Sequence, residues 1–323
     1  MPTELKLKDK KLIYELDFQA RMSLTKIAKR IGVSKQVAKY NLERLEKEDI
    51  IQGFYADINS SKLGYAIYLV YLKFSHMSQS VYEEFLQHVS KKEGVGVNAT
   101  IYGKWDHCLG IWAKTVMQFR KRYLSVIGKY EQYVQSKVIT IETDFYYFKP
   151  KQILQGNDEQ ISMIGDIQEA YLDEKNKDIL IALANNARMP FIDIAKKIHA
   201  SANGVKERIK KLEKEKIILG YRVMINYQAL GFMHYRVFLH LENSSEELEK
   251  QIIQFLKLQK EVVSVTKTIG YGDLEFRAIV KNLDEYYELM KRLRTQFSDQ
   301  IKDIEFITYQ KFHEALNYFP FFK

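Results

Sequence analysis

The sequence is poor in residues that cross-link a chain, break it or anchor it in a membrane. It has one cysteine, Cys108, so no internal disulfide can form, which suits the reducing cytosol. Only four of its 323 residues are proline, and it lacks an uncharged apolar run of about 18 residues, the minimum for a membrane span. The N-terminal stretch MPTELKLKDKKL has no apolar segment of a secretion signal. We therefore expect a cytoplasmic protein that does not contact membranes.

Motifs for metal binding and covalent catalysis are also missing. The seven histidines are scattered, and His107-Cys108 is an isolated pair. There is no Cys-x-x-Cys, phosphate-binding loop or nucleophile elbow. The strand-like segments show no cluster of histidine and arginine; the nearest approach is His234-Tyr235-Arg236, which we expect to alternate in and out of a strand. We expect no metal, no cofactor and no enzymatic activity.

Positive charge is concentrated in two windows. The net charge is +9 with a pI of about 9.1, and residues 5–52 and 172–219 contribute +5 and +4 of it. Basic surfaces favour a polyanionic partner such as nucleic acid. The alternative is that each window is an ordinary solvated helix surface. Two such windows at matched positions favour the first interpretation.

The chain is an internal duplication. Shifted by 167 positions, it aligns with itself without a gap from Leu5 to Gly64, and 24 of those 60 positions are identical. The same shift aligns Gly103 with Gly270 and Asp106 with Asp273. A solenoid repeat spans only about 20–50 residues. The pattern therefore indicates two copies of a larger, two-part module.

The first part of each module reads as three helices followed by a strand. Apolar residues recur at helical spacing on the inner faces of these helices. In the first copy they are Leu12, Ile13, Leu16, Leu24, Ile27, Ala28, Ile31, Ala38, Leu42 and Leu45. Gly32 suits a tight turn with positive φ, and Ser34 is a good N-cap for the third helix. A short turn before a basic amphipathic helix is typical of a helix-turn-helix, and IIQGFYADI predicts the following strand.

The second part alternates strand and helix signals in the order βαββαβ, the ferredoxin-like arrangement. The fold class is therefore α+β, with two winged-helix/helix-turn-helix domains and two ferredoxin-like domains. We expect the domains at residues 1–58, 59–150, 172–225 and 226–323, with a linker at 151–171. The apolar tail Phe312–Lys323 is expected to pack on a sheet or seal an interface; contact with a membrane is the alternative.

This organisation resembles the Lrp/AsnC (feast/famine) transcription regulators over nearly the whole chain, twice. In the first copy the resemblance is carried by Asp9, Leu12-Ile13, Ile27-Ala28, Ile31-Gly32, Ser34, Leu45-Glu46, Ile50-Ile51, Gly53, Leu63-Gly64 and Gly103-x-x-Asp106. The second copy offers Ile194-Ala195, Ser201, Arg208, Leu212-Glu213, Ile217-Ile218, Gly220, Leu230-Gly231 and Gly270-x-x-Asp273. The resemblance implies pairing through the β-domains, further homo-oligomerisation, and often an amino-acid effector. One chain would then form an intrachain pseudo-dimer.

Some positions depart from the family pattern. The family commonly has Arg where the first copy has Asn41, whereas the second copy keeps Arg208. It commonly has Gly at the positions of Asp49 and Lys216. The second copy also has His199 at the position of Gly32, and Gly204 lies inside its third helix. The second recognition helix is therefore expected to read DNA more weakly or to be kept as structure.

Candidate DNA contacts lie at the start of each third helix, where side chains of a helix-turn-helix reach the major groove. Gln36 can pair with adenine, and Lys35 or Lys39 with guanine, whereas Lys29, Arg30 and Arg44 suit the phosphate backbone. The full set is Lys29, Arg30, Ser34, Lys35, Gln36, Lys39, Tyr40, Arg44, Ser201, Asn203, Lys206 and Lys210. Ordinary solvated side chains are the alternative. Because the two faces differ, we expect an operator that is not a true palindrome.

The resemblance places the effector pocket near the turns that carry Gly103 and Gly270. The candidate residues are Tyr102, Gly103, Trp105, Asp106, Gly270, Tyr271 and Asp273. An Asp there would bind a ligand ammonium group, and the aromatic rings would wall the pocket. The structural alternative is a pair of hairpins that need Gly and Asp for the turn itself.

The sequence therefore predicts a regulator that binds double-stranded DNA and responds to an amino acid or a similar effector. Two alternatives stay open. One is an enzyme resembling the siroheme decarboxylases, in which a tetrapyrrole occupies the β-domains. The other is an architectural protein that binds DNA with little sequence preference.

Overall fold

The computed structural model describes residues 3–156, 159–163 and 167–313. Its first module follows the predicted order of elements. They are α1 (Leu7–Leu16), α2 (Leu24–Ile31), α3 (Lys35–Lys47), β1 (Ile51–Ile58), β2 (Ala66–Phe74), α4 (Gln79–Ser90), β3 (Val95–Gly103), β4 (His107–Ala113), α5 (Val116–Ile127) and β5 (Val134–Phe148).

The second module repeats this order after one extra strand. Its elements are β6 (Gln160–Met163), α6 (Glu174–Asn185), α7 (Phe191–Lys197), α8 (Ala202–Lys214), β7 (Ile218–Ile225), β8 (Met233–Leu241), α9 (Glu246–Leu258), β9 (Val262–Ile269), β10 (Leu274–Val280), α10 (Leu283–Phe297) and β11 (Ile301–Phe312). The α+β fold with a duplicated module is confirmed. Within the described ranges, the helices are too short or too polar to cross a lipid bilayer.

The helix boundaries have the local causes that the sequence indicates. The Ser34 hydroxyl accepts a hydrogen bond from the Val37 amide at 3.2 Å and caps α3. Ser201 caps α8 in the same way, accepting from the Gly204 amide at 3.0 Å. Gly32 has φ +72°, the left-handed conformation predicted for the turn. His199, at the equivalent position, holds φ +50°, which costs a residue with a Cβ roughly 1–2 kcal/mol.

The two helix-turn-helix halves are joined by an antiparallel ribbon of β1 and β7. Ile51 pairs with Ile225, and Ile58 pairs with Ile218, so each strand meets its own repeat. The backbone outside the ribbon obeys the same twofold relation: the Ala20 amide donates to the Tyr221 carbonyl at 2.9 Å, and the Ala187 amide donates to the Phe54 carbonyl at 2.9 Å. The duplicated chain therefore forms an intrachain pseudo-dimer.

A reciprocal pair of arginines strengthens this interlock. Arg21 donates through Nη1 to the carbonyl of Ala187 and, at 3.1 Å, to that of Met189. Arg188 donates through Nη1 to the carbonyl of Ala20 at 2.5 Å. Each guanidinium also lies over an aromatic ring of the other half. Because one hydrophobic cluster runs through both halves, the two helix-turn-helix domains are a single packed unit.

The β-domains combine into a closed barrel. The eight strands follow the order β2-β4-β3-β11-β8-β10-β9-β5, and β5 returns to pair with β2. Each module supplies four neighbouring strands in ferredoxin-like order, and the modules join where β3 meets β11 and where β5 meets β9. Closure removes the free edges that an open sheet would expose.

The helices of the β-domains pack outside the barrel, each pair on its own module. Helices α4 and α5 bury Phe85, Val89, Phe119 and Tyr123 in a cluster with the outward side chains of β2 and β4. Helices α9 and α10 form the equivalent cluster on the second module. A separate cluster lies inside the barrel and draws on strands of both modules. The barrel interior is thus shared between the two copies.

The segment between the two modules carries more structure than the sequence indicates. Within the stretch 151–171, expected to be a linker, residues 160–163 form β6, which pairs with β5. Ile161 is buried there, and an apolar side chain gains by leaving water even in a short strand. The expectation for the apolar tail falls mostly on residues 314–323, outside the described residues.

A buried ion pair fastens the first helix-turn-helix to β7. Arg222 Nε lies 2.9 Å from Asp17 Oδ1, and Arg222 Nη2 lies 3.1 Å from Asp17 Oδ2. Asp17→Ala leaves the guanidinium buried and uncompensated, so we expect a loss of about 3–5 kcal/mol in the free energy of unfolding. Urea unfolding followed by circular dichroism measures it. Glu15→Ala is the control, because the Arg30–Glu15 pair is exposed and is worth about 1 kcal/mol or less. Equal losses in the two variants would contradict the assignment.

Candidate functional site

Helix α3 presents a polar face to solvent. Ala38, Leu42 and Leu45 pack inward, as predicted. The opposite side exposes Lys35, Gln36, Lys39 and Tyr40, and Tyr40 is 66% exposed. Among the residues that the structure describes, Lys39 forms one exposed ion pair, with Glu43 at 3.5 Å. These side chains are free to reorganise around a ligand.

The face of α8 is also exposed but is chemically different. Ser201, Asn203 and Lys206 lie at the solvent-facing start of the helix. Lys210 pairs with Glu207 at 2.8 Å, a pairing for which α3 has no counterpart because Tyr40 stands at the position of Glu207. The second face therefore has fewer uncommitted positive charges than the first.

The residues expected to contact the DNA phosphate backbone differ in the partners that they have in the free protein. Lys29 is exposed at the end of α2. Arg30, beside it, lies 2.8 Å from Glu15 in a pair open to solvent. Such exposed pairs are weak, so Arg30 can exchange Glu15 for a phosphate at little cost.

Arg44 has a structural role that the sequence interpretation missed. Its guanidinium lies 2.7 Å from the buried carboxylate of Asp9 and 2.7 Å from Glu48. In the second copy Arg208 makes the equivalent link between helices, 2.7 Å from Asp173. Arg208 aligns with Asn41, so the first copy has moved its arginine one helical turn along the same face. The departure at Asn41 is thereby compensated.

The two glycine-containing turns close the barrel end farthest from the helix-turn-helix domains. The Asp106 carboxylate accepts from the Phe74 amide at 2.8 Å and lies 2.7 Å from Lys73 Nζ. The Asp273 carboxylate accepts from the Leu241 amide at 2.7 Å. Both carboxylates thus hold the ends of neighbouring strands together. This geometry favours the structural alternative for the two aspartates.

The remaining effector candidates lie around the same turns. Trp105 is buried against Tyr271, with ring centroids 5.9 Å apart, so the two turns touch. Lys104 donates to the Tyr271 hydroxyl at 2.9 Å. Tyr102 is exposed, and both Gly103 and Gly270 have positive φ where a neighbouring strand passes close by. An effector site at these turns stays a prediction.

The opposite end of the barrel holds a cluster of arginines. Arg222 from β7, Arg236 from β8 and Arg277 from β10 converge beneath the β1–β7 ribbon, together with His234. The expectation that the β-strands lack an arginine-rich cluster is therefore wrong. The strands lie far apart in sequence and meet only when the barrel closes. The predicted alternation is confirmed, because His234 and Arg236 face inward while Tyr235 packs in the outer cluster.

Arg236 is held by two carboxylates inside the barrel. It lies 2.5 Å from Glu275 through Nε and 2.6 Å from Glu142 through Nη2, and it donates to the Tyr309 hydroxyl at 3.2 Å. Burial raises the pKa of Glu275 to about 7; Arg236 opposes this rise, and Glu142 adds to it. The second carboxylate oxygen of Glu275 has no hydrogen-bond partner among the described residues.

Two further groups under the ribbon are unusual. Burial raises the pKa of Asp57 to about 6 despite the attraction of Arg222. Burial lowers the pKa of His234 to about 3, and Arg277 and Arg236 lower it further, so this imidazole is neutral at pH 7. Asp57 Oδ2 and His234 Nε2 are both buried without a hydrogen-bond partner in the described part of the chain. In residues 3–156, 159–163 and 167–313, no trio of His, Cys, Asp or Glu is placed to hold a metal ion.

Comparisons with known proteins agree with this architecture. The winged helix-turn-helix DNA-binding family matches residues 5–52 and 172–218, one match in each module. An uncharacterised HTH-type transcriptional regulator of Pyrococcus furiosus is 31% identical over 128 residues, 39% of this chain and 82% of that protein. The proline dehydrogenase transcriptional activator of Rhizobium radiobacter is 32% identical over 114 residues, 35% of this chain and 73% of the activator. Both relatives match over a length that fits within one module.

These findings define the class as helix-turn-helix transcriptional regulators. Within that class, the chain belongs to the Lrp/AsnC family. The crystal structure of the siroheme decarboxylase NirDL also shares the fold, with a TM-score of 0.63 and 13% identity over 96% of this chain and 93% of that one. At that identity the likeness concerns the fold alone.

The raised pKa of Glu275 gives a prediction for the pH dependence of stability. Its pKa of about 7 lies above the model-peptide value of 4.5, so the folded state prefers the protonated carboxyl. The wild-type free energy of unfolding should therefore fall as pH rises from 4.5 through 7, relative to Glu275→Gln, which cannot titrate at this position. Chemical denaturation of both proteins across this pH range measures the difference. A difference independent of pH would contradict the assignment.

Proposed function

We propose that the protein is a sequence-specific DNA-binding transcriptional regulator that acts in the cytoplasm. One observation carries the proposal: two exposed polar helices, α3 and α8, are built on one interlocked core by matched helix-turn-helix domains. A twofold DNA reader needs its recognition helices about one helical turn of DNA apart, roughly 34 Å. A single chain with this core supplies both helices in a fixed relation.

The first copy is the stronger reader in this proposal. Lys35, Gln36 and Lys39 supply uncommitted groups for base edges and phosphates, while Lys29 and Arg30 add backbone contacts. In the second copy, Ser201, Asn203 and Lys206 occupy the same face, and Lys210 is already paired. The operator is therefore expected to have two unlike half-sites.

A small effector, such as an amino acid, would tune DNA binding. The support is family membership together with the arginine-lined cavities at the barrel end nearest the DNA-binding unit. Further homo-oligomerisation through the β-domains also belongs to the proposal, because family resemblance implies it.

A tetrapyrrole-binding enzyme is the second candidate. The fold shared with NirDL is compatible with it. The observation that favours it is a neutral His234 near three arginines, with a buried nitrogen that has no hydrogen-bond partner among the described residues. A siroheme-type ligand gives an intense absorption band in the near ultraviolet. Such a band in the purified protein, or on titration with an iron porphyrin, would favour the enzyme over the regulator.

Substitutions on α3 test the proposed interface. We expect Lys35→Ala and Lys39→Ala each to weaken binding to the preferred duplex and to reduce the salt slope by about 1 if the lysine contacts phosphate. Gln36→Ala should cost about 1–3 kcal/mol on the preferred sequence and relax its base preference. Fluorescence anisotropy across a salt series measures these changes. Lys250→Ala, which removes an exposed lysine of α9, is the matched control and should change neither quantity.

Selection of bound duplexes from random DNA tests the unlike half-sites. The proposal expects one half-site to lose its sequence preference in Gln36→Ala, and the other half-site to lose it in Asn203→Ala. A perfect inverted repeat whose two halves respond equally to both substitutions would contradict the asymmetry. Steep salt dependence without any sequence preference would identify an architectural DNA-binding protein instead.

A further inference from the structure

Two adjoining cavities lie between the β1–β7 ribbon and the barrel. Their volumes are about 120 Å³ and 410 Å³. Tyr147, Arg277 and Phe312 line both of them, so Arg277 stands at the boundary. At about 30 Å³ for each water molecule, the smaller cavity has room for about four waters, the size of a small organic acid. Most of its wall is apolar and includes Trp112 and Phe145.

Three charged side chains inside the barrel have uncharged counterparts in the other copy of the module. Arg236, Glu275 and Arg277 on β8 and β10 align, at the offset of 167, with Leu69, Cys108 and Gly110 on β2 and β4. At these three positions the first copy builds β2 and β4 without charge, and the buried carboxylate that it contributes to the cluster, Glu142, lies on β5. Buried ion pairs are seldom better for stability than apolar residues of similar volume. The charges of the second copy are not needed to close the barrel.

The position of Arg277 is unfavourable by itself. It stands directly opposite Arg236 in the antiparallel pairing of β10 with β8, and like charges at such positions repel. Arg236 is compensated by Glu142 and Glu275, and Arg222 is compensated by Asp17. Arg277 donates from Nε to the Ser264 hydroxyl at 2.7 Å. Among the described residues, no carboxylate lies within ion-pair distance of its guanidinium.

We propose that this cavity binds a small monocarboxylate, with the ligand carboxylate on the Arg277 guanidinium and its apolar body against Trp112 and Phe145. A guanidinium fork matches the two oxygens of a carboxylate. Among the described residues, Arg277 alone of these three arginines has no ion pair, and one cation suits one negative charge, whereas a phosphate carries close to two. Asp57 Oδ2, buried on the same wall without a hydrogen-bond partner in the described part of the chain, accepts from an N–H or ammonium group of the ligand.

The position of the cavity makes it suited to control DNA binding. Asp57, Ile58 and Leu219 of the ribbon form part of its wall. The ribbon strands follow the recognition helices closely, since α3 ends at Lys47 and β1 begins at Ile51. A ligand between ribbon and barrel therefore changes how the interlocked DNA-binding unit rests on the barrel. This assignment locates the effector site of the proposed regulator and rests on that function.

Calorimetric titration of the full-length protein tests the site. Three matched probe sets are used: the monocarboxylates from butyrate to octanoate with phenylacetate, the α-amino acids with the same side chains, and the corresponding amines. We expect saturable binding by members of the first two sets and none by the amines. Arg277→Met should weaken binding tenfold or more, and Arg120→Met, on the exposed face of α5, should leave it unchanged. Arg277→Lys retains the charge without the fork and should also weaken binding if Arg277→Met does not fold.

The outcomes separate this proposal from the proposed function. It is overturned if no carboxylate or amino acid binds, if amines bind equally well, or if the Arg277 variants bind like the wild type. DNA affinity, measured on a selected duplex at constant salt, should respond to the bound probe in the wild type and not in Arg277→Met. If the wild type binds DNA but no ligand, the proposed regulatory function stands and the proposed ligand site is wrong. If the wild type binds the ligand but no DNA, the ligand site stands and the proposed regulatory function is wrong.

Discussion

The reciprocal contact between the two helix-turn-helix halves is the constraint on which the rest of the structure depends. Arg21 and Arg188 each reach backbone carbonyls of the opposite half, and β1 pairs with β7 between them. Neither half could bury its share of the common hydrophobic cluster alone. The recognition helices therefore cannot move independently without breaking buried hydrogen bonds. A duplication within one chain makes this pairing independent of protein concentration, because the partner is always attached.

Duplication also frees the two copies to diverge, and the structure shows where they have done so. The contacts across the pseudo-twofold are kept nearly residue for residue. Differences collect on the exposed faces of α3 and α8 and inside the barrel. Arg44 and Arg208 combine both features. In each copy an arginine of the third helix pairs with an aspartate at the first helix, but the arginine lies one helical turn later in the first copy than in the second. The contacts that join the two modules have stayed symmetric, whereas the exposed faces of α3 and α8 and the barrel interior have become different in the two copies.

The sequence predicted the local elements well because their signals are local. Spacing of apolar residues identified the buried faces of α1 to α3, and Ser34 and Gly32 marked the turn. The repeat offset indicated the duplication, and the family resemblance implied the pseudo-dimer. The barrel closure, strand β6 and the arginine cluster were missed, since each depends on residues that meet only in the folded chain. Arg222, Arg236 and Arg277 carry no common spacing, and only the strand order brings them under one ribbon. For Asp106 and Asp273 the motif alone left open a ligand-binding role or a structural role, and their hydrogen bonds to neighbouring strands favour the structural role.

We propose that the two recognition helices form a rigid pair that contacts one DNA duplex. The most direct measurement is the affinity for duplexes in which the spacing between the two selected half-sites is varied one base pair at a time. Insertion of about five base pairs turns one half-site to the opposite face of the DNA. A rigid pair of helices should give a sharp affinity maximum at one spacing and a drop to the affinity of a single half-site at this insertion. An affinity that does not depend on spacing would contradict it.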